Sequence, residues 1–189
     1  GVATNDFSEA LEAILGSNAA GLSATNIVRL KEGWKKDYDD WQSRDLSQSR
    51  YVYWWVDGIY FNVRLEQDCP CVLVIMGARE DGVKELVAIH DGHRESKESW
   101  LEVLRGLKAR GLREAPKLAV GDGALGFWSA VAEEFPSTRA QRCWVHKTAN
   151  ILDKLPKHKQ AHAKSLIHDM YLAGTYKEAI KAYDRFVAE

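Results

Sequence analysis

The spacing of apolar residues predicts two helices at the start of the chain. Residues 6–15 open with the capping-box pattern of Asp6 and Glu9 and place their apolar side chains on one helical face. After a turn of small residues, a longer helix begins at Ser23 and carries an apolar residue on about every turn: Ile27, Leu30, Trp34, Tyr38 and Trp41. Two helices joined in this way form either a helix-turn-helix or a plain helical hairpin. Acidic and basic residues are mixed in the second helix, so both interpretations stay open.

The pattern then changes to that of strands. A first apolar run spans residues 51–65 with Asp57-Gly58 in its middle, and a second spans 71–76. A third run spans 84–90 and follows the hairpin signal Asp81-Gly82. Because the connections between these runs are short, we expect three consecutive antiparallel strands.

Helices and short strands alternate in the second half of the chain. We predict a helix from Ser96 to Gly111, a strand at 117–122, a helix at 125–135, a strand at 138–144, and helices at 147–155, 158–172 and 175–188. Three antiparallel strands followed by a right-handed crossover into a parallel strand is the order of ribonuclease-H-like α/β domains. The prediction is therefore a ribonuclease-H-like mixed sheet, β-β-β-α-β-α-β, in residues 49–146. An N-terminal helical segment (1–48) precedes it and a helical segment (147–189) follows.

Composition narrows the classes of function. The 189 residues are 46% hydrophobic and 28% charged, which is typical of a globular domain. No apolar run reaches the roughly 18 residues of a membrane span, and three cysteines are too few for a disulfide framework, which favours a reducing cytoplasm. The net charge of -1 argues against a uniformly basic surface. A local basic block nevertheless occupies residues 138–167, where seven Lys or Arg accompany one acid, Asp153.

Asp57 lies in the middle of the most hydrophobic run. A strand of this composition is expected to be covered on both faces, where an ionised carboxylate costs several kcal/mol unless it is paired or binds a metal. The functional interpretation is a metal-binding acid. The alternative is that Asp57-Gly58 is only a turn between two strands, and the local sequence does not decide between them.

Asp122 ends a predicted strand just before a helix. Ligands of open α/β sheets bind at this edge, although an Asp before a helix is often only its N-cap. In the predicted fold the strands of Asp57 and Asp122 are parallel neighbours, so their carboxylates would converge. Paired carboxylates suit Mg²⁺, and two such ions support in-line displacement at a phosphoryl group.

Cys143 and His146 form a C-x-x-H pattern. They could be half of a zinc site, although a complete site needs four ligands, or a structural polar clamp near the crevice. The alternative is a buried cysteine and a hydrogen-bonded histidine at the end of a strand. His90 and His93, on either side of Asp91-Gly92, are weaker metal candidates.

Four short motifs follow one another along the chain: Trp55-Val-Asp-Gly-Ile-Tyr60, Gly92-His-Arg-Glu-Ser96, Gly121-Asp-Gly123, and Gln141-Arg-Cys-Trp-Val-His-Lys147. In this order and spacing they resemble the Mutator-type bacterial transposases of the IS256 family. The resemblance implies a ribonuclease-H-like fold with a DDE acidic triad that binds Mg²⁺ or Mn²⁺. It also implies cleavage and joining of DNA, at transposon ends and target, by a homodimer or higher oligomer.

The resemblance assigns roles by position. Asp57 matches the first acid of the triad, Asp122 the second, and Cys143 with His146 the C-x-x-H signature that follows. Residues 1–48 resemble the end of the family's N-terminal DNA-binding region. The family's third acid, a Glu, lies beyond a helical insertion, and residues 147–189 resemble the beginning of that insertion. We therefore expect a fragment that lacks the third acid.

The basic block would bind the DNA backbone without sequence preference, with Arg142, Lys147 and Lys154 as the expected phosphate contacts. Two alternatives to a transposase remain. One is a non-catalytic DNA-binding remnant of such an enzyme. The other is a different ribonuclease-H-like nuclease, which the C-x-x-H pattern disfavours.

Overall fold

The computed structural model describes residues 24–61, 71–92, 95–123 and 125–189. Their elements, in chain order, are α1 (Ala24–Ser43), β1 (Tyr51–Tyr60), β2 (Cys71–Arg79), β3 (Lys84–Gly92), α2 (Lys97–Ala109), β4 (Leu118–Gly121), α3 (Leu125–Glu134), β5 (Arg139–Arg142), α4 (Trp144–Leu152), α5 (Lys157–Tyr171) and α6 (Tyr176–Ala188). The predicted helix at 6–15 and His93 lie outside these ranges. In the part of the chain that is described, no helix is both long and apolar enough to cross a membrane.

The strands form one mixed sheet in the order β3-β2-β1-β4-β5. β1 pairs antiparallel with β2, and β2 with β3, which confirms the predicted meander. β4 lies parallel to β1 and to β5, because α2 and α3 return the chain to the same end of the sheet. This order and direction of strands is the ribonuclease-H-like arrangement, as predicted.

β1 continues through Asp57 and Gly58 without a turn. Asp57 pairs with Val74 of β2, and Gly58 pairs with Leu73. The interpretation of Asp57-Gly58 as a hairpin turn is therefore wrong. The physical reason is that β2 offers an apolar strand of nine residues, which pairs with β1 on both sides of the dipeptide.

The two faces of β1 differ in burial. Trp54 and Val56 are buried beneath α2 and α3, whereas Tyr53, Trp55 and Ile59 are 43%, 38% and 43% exposed on the other face. The prediction that this strand is covered on both faces is therefore wrong. Both helices that cross over between parallel strands contribute to the core on a single side of the sheet, and the opposite side, called here the open face, stays accessible to water.

Aromatic rings attach the helices to the buried face. The Trp54 ring meets Phe135 edge to face at 5.3 Å, and Trp100 of α2 meets Phe127 of α3 in the same way at 5.0 Å. Such pairs contribute about 0.5–1.5 kcal/mol beyond burial of their area. The Trp54–Phe135 contact therefore fixes β1 relative to the end of α3, and the Trp100–Phe127 contact fixes the beginnings of α2 and α3 relative to each other.

Several predicted ends of elements are confirmed. The Ser96 hydroxyl accepts a hydrogen bond from the backbone N–H of Ser99 at 3.1 Å and caps α2. Thr175 caps α6 in the same way, accepting from Glu178 at 3.3 Å. Gly82, in the hairpin between β2 and β3, has a φ of 84°, a conformation that glycine adopts without strain.

The connection after β5 differs from the prediction. The strand expected to reach residue 144 ends at Arg142, and the helix expected from residue 147 begins at Trp144. Cys143 occupies the N-cap position between them, and its backbone N–H donates to the Gly121 carbonyl at 2.8 Å. The predicted domain boundary between residues 146 and 147 thus falls inside α4, and the division into domains stays a prediction.

Candidate active site

Asp57 and Asp122 lie side by side at one edge of the sheet. Val56 pairs with Gly121 in the parallel ladder between β1 and β4, and each acid is the next residue of its segment. The Asp57 side chain is 51% exposed, so solvent rather than protein surrounds much of it. The topology therefore brings together the two acids that the sequence singled out. Asp57 is more exposed to solvent than the sequence predicted.

Backbone contacts fix Asp122. Its Oδ1 accepts a hydrogen bond from the Gly123 N–H at 2.6 Å, and its carbonyl accepts one from the Trp128 indole at 2.9 Å. Because α3 begins only at Leu125, Asp122 lies outside the N-cap position of that helix. A Cβ at Gly121 would lie 2.6 Å from Val56 Cγ2, so the close approach of β4 to β1 requires a glycine there.

The C-x-x-H pattern brings a histidine to Asp57. His146, in the first turn of α4, places Nε2 3.9 Å from Asp57 Oδ1. Its Nδ1 is buried and has no hydrogen-bond partner among the residues that the structure describes. The expected hydrogen-bonded histidine at a strand end is therefore wrong, because α4 has already begun at Trp144.

A cavity of about 330 Å³ opens beside these groups on the open face. Trp55, Val120 and Met76 form part of its apolar wall, and Asp57, Cys143 and His146 form its polar end. The cavity therefore joins the acid at the end of β1 to the C-x-x-H pair at the start of α4.

Among the described residues, neither the pair Cys143 and His146 nor His90 finds the further ligands that a metal site needs. Across residues 24–61, 71–92, 95–123 and 125–189, no group of three or more His, Cys, Asp or Glu is arranged to hold a metal ion. Cys143 and His146 thus lack the additional ligands that zinc requires. Nε2 of His90 instead lies 3.7 Å from Oε2 of Glu102, a residue of α2.

The donor chemistry of the acid pair nevertheless fits magnesium. Mg²⁺ prefers oxygen ligands, keeps several of its waters, and commonly binds through one or two carboxylates together with substrate phosphates. Asp57 and Asp122 supply two carboxylates at an edge open to solvent. These residues would hold the ion, and no third side chain is needed for this mode of binding.

Glu95 is a residue of the site that sequence reasoning missed. Its carboxylate lies against Gly58, where an added Cβ would be 2.7 Å from Oε2. Burial raises the pKa of Glu95, and the charges of Asp57 and Asp122 raise it further, whereas the nearby indole N–H of Trp100 and the charge of His146 lower this pKa. The available signal is its place in the motif Gly92–Ser96, one of the four motifs that carry the resemblance to the Mutator-type transposases.

The three residues predicted to contact phosphates, Arg142, Lys147 and Lys154, all lie on the surface. Arg142, at the end of β5, is exposed, and its guanidinium covers Gly123, where an added Cβ would be 2.7 Å from Cζ. Lys147 lies in α4 and Lys154 just after it, both exposed. Of the ion pairs formed within the described ranges, none involves these three cations.

Comparison with known proteins gives a consistent family. The family model for "Transposase, Mutator family" matches residues 1–189. A transposase for insertion sequence element IS6120 from Mycolicibacterium smegmatis is 52% identical over 189 residues, which is 100% of this chain and 58% of that protein. A transposase for element IST2 from Acidithiobacillus ferrooxidans is 48% identical over 186 residues, covering 95% of this chain and 60% of that protein.

A more distant relative is the transposase for element IS256 in transposon Tn4001 of Staphylococcus aureus, 29% identical over 191 residues. The match covers 98% of this chain and 44% of that protein. The chain thus spans between 44% and 60% of the length of these three relatives.

Among solved structures, the HTLV-2 integrase catalytic core domain in complex with magnesium aligns with a TM-score of 0.34 at 14% identity. The alignment covers 72% of this chain and 95% of that one. The simian T-cell lymphotropic virus intasome in complex with PP2A regulatory subunit B56 gamma aligns with a TM-score of 0.35 at 12% identity, over 93% of this chain and 66% of that one. At these scores the fold assignment rests on the strand order alone.

Proposed function

The chain belongs to the Mutator family of transposases, and from this premise we propose that Asp57 and Asp122 are two acids of a DDE-type active site that cleaves and joins DNA. The proposal rests on one observation above all. The parallel ladder between β1 and β4 ends at the pair Val56–Gly121, so the next residues, Asp57 within β1 and Asp122 just after β4, are neighbours.

The residues of the site have distinct roles in this proposal. Asp57 and Asp122 would hold Mg²⁺ or Mn²⁺. When bound, the ion would stabilise charge on the attacking and leaving oxygens of a phosphodiester. His146 faces Asp57 and, when protonated, offsets part of its negative charge. The third acid of the triad is not assigned to any residue of this chain. DNA in the bacterial nucleoid is the proposed partner, and assembly into a homodimer or higher oligomer on DNA is part of the same proposal.

Metal binding tests the two acids. We expect Asp57→Asn and Asp122→Asn each to weaken Mn²⁺ binding to this chain at least about tenfold, the loss typical even of residues that only support a metal ligand. Isothermal titration calorimetry measures the affinity, and circular dichroism verifies the fold. The control is Asp81→Asn, which changes an exposed acid paired with Arg79 in the hairpin between β2 and β3. Unchanged Mn²⁺ affinity in both site variants would refute the proposed metal site.

Arg142 provides a separate test of DNA binding. We expect Arg142→Ala to weaken binding to duplexes of any sequence and to reduce the slope of log K against log salt by about 1, because one phosphate contact is lost. Fluorescence anisotropy at several salt concentrations measures both quantities. Arg113→Ala is the control, since Arg113 is also exposed but precedes β4 and therefore lies at the other end of the sheet. An equal effect of both variants would contradict a specific contact by Arg142.

A non-catalytic DNA-binding remnant is the second candidate. It is favoured by the finding that no third His, Cys, Asp or Glu joins the acid pair among the described residues in a metal-binding arrangement. DNA binding without any metal binding would favour this candidate over an active-site role for Asp57 and Asp122.

A further inference from the structure

We propose that Glu95 is a positioning residue of the candidate active site, whose negative charge strengthens the binding of a divalent cation by Asp57 and Asp122. This inference rests on the proposed function, because it requires the acid pair to bind a cation. It assigns Glu95 to the surroundings of the metal rather than to its ligands.

The carboxylate of Glu95 lies directly against the residue that follows Asp57. An added Cβ at Gly58 would be 2.7 Å from Oε2 of Glu95 and 2.8 Å from its Cδ, so glycine leaves the space that the carboxylate fills. Successive residues of a strand point to opposite faces. Glu95 therefore approaches β1 from the side of α2 and α3, while Asp57 projects from the open face.

The backbone at Glu95 is held between two helices. Glu95 immediately precedes Ser96, the N-cap of α2. A Cβ at Gly126 would lie 2.9 Å from the Glu95 carbonyl oxygen, so α3 packs directly on this backbone. The beginnings of α2 and α3 thus both fix the backbone of Glu95.

A buried donor faces the Glu95 side chain. Burial and the charges of Asp57 and Asp122 raise the pKa of Glu95, and the indole N–H of the fully buried Trp100 opposes that rise. The contact falls short of a well-formed hydrogen bond, and Nε1 has no other partner in the described part of the chain. Trp100 is therefore a buried polar neighbour of the Glu95 carboxyl group.

Negative charge at this edge is only partly compensated. Within the ranges that the structure describes, Asp57, Asp122 and Glu95 form no ion pair with Lys or Arg. His146 approaches Asp57, and the Arg142 guanidinium lies against Gly123, the residue that follows Asp122. Like charges gathered in a partly buried place repel one another. Asp57 and Asp122 would hold a divalent cation that relieves this repulsion, and the negative charge of Glu95 would strengthen its binding.

Replacing Glu95 with glutamine separates charge from packing. Glutamine keeps the shape of the side chain and an oxygen that faces Trp100, but it removes the charge. We expect Glu95→Gln to raise the Kd for Mn²⁺ roughly 10-fold, as is typical of residues that support metal ligands, with an unchanged circular dichroism spectrum. Glu95→Asp should restore part of the affinity. The matched control is Glu98→Gln, which removes the same charge from an exposed position in the first turn of α2.

Gly58→Ala is a second variant that moves the Glu95 carboxylate without changing any charge, and it should also raise the Kd for Mn²⁺. If Asp57→Asn weakens Mn²⁺ binding but Glu95→Gln does not, the role of Glu95 is overturned and the metal site stands. If Glu95→Gln and Glu98→Gln weaken binding equally, the effect is a general one of charge and the inference also fails. If neither Asp57→Asn nor Asp122→Asn changes the Kd for Mn²⁺, the proposed function itself fails.

Discussion

Replacing Asp57 or Asp122 with asparagine is expected to reduce metal-dependent DNA cleavage at least about a thousandfold when the sequence is expressed within a transposase of its relatives' full length. Asparagine keeps the size of each side chain and removes the charge that would bind the cation. Metal ions stabilise the transition state of such reactions by several kcal/mol, and about 4 kcal/mol corresponds to a factor of a thousand in rate. DNA binding should be largely retained, because the proposed phosphate contacts lie on β5, on α4 and beyond.

Cleavage of a labelled transposon-end duplex in Mg²⁺, resolved on a denaturing gel, measures this effect. Asp153→Asn is the matched control, since it changes an exposed aspartate that follows α4 within the basic block. Cleavage at the wild-type rate by either site variant would remove that residue from the active site.

Replacing Trp54 with alanine should cost about 3–5 kcal/mol of the free energy of unfolding, the range typical of a buried aromatic residue. Trp54 is fully buried on the central strand, and its ring contacts Phe135 edge to face. Its loss leaves a cavity between β1 and the helices that hold the strand in place. Urea denaturation followed by circular dichroism measures the change.

Trp55→Ala is the control for Trp54→Ala because the two residues are identical and adjacent. Trp55 lies on the open face, 38% exposed, with Lys84 above its ring at 5.2 Å. Part of its surface is already in water, so its replacement should cost clearly less. Equal losses for the two variants would mean that the open face is covered in solution.

The order of the elements could be predicted from the sequence, but the faces of β1 could not. Changes of hydrophobic period, together with caps such as Ser96 and turns such as Asp81-Gly82, mark where each element begins and ends. Tyr51–Val56 is apolar at every position, so the alternation that tells a buried face from an exposed one is absent. Only the packing of α2 and α3 determines which side of this strand is covered.

The candidate site, too, could be predicted only in part from the sequence. The juxtaposition of Asp57 and Asp122 follows from strand order, which the sequence indicates. The sequence predicts a strand at 138–144 and a helix from residue 147, which would leave His146 in the connection between them. In the helix that actually forms, residues three apart lie on the same side, and His146 faces Asp57.

Glu95 and Gly58 are separated by much of the meander and its loops, and no periodic pattern relates them. Their contact depends on how α2 and α3 meet the end of β1. This is a property of tertiary packing, and a single sequence contains no direct signal for it.

The glycines around Asp122 limit how this edge of the sheet can be redesigned. Val56 excludes a larger side chain at position 121, and the backbone around Ser96 excludes one at position 126. At position 123 a side chain would fit only if Arg142 moved away. An engineer who wishes to alter the DNA preference of the site therefore has room on the outward surface of β5 and α4, and almost none at positions 121 and 126.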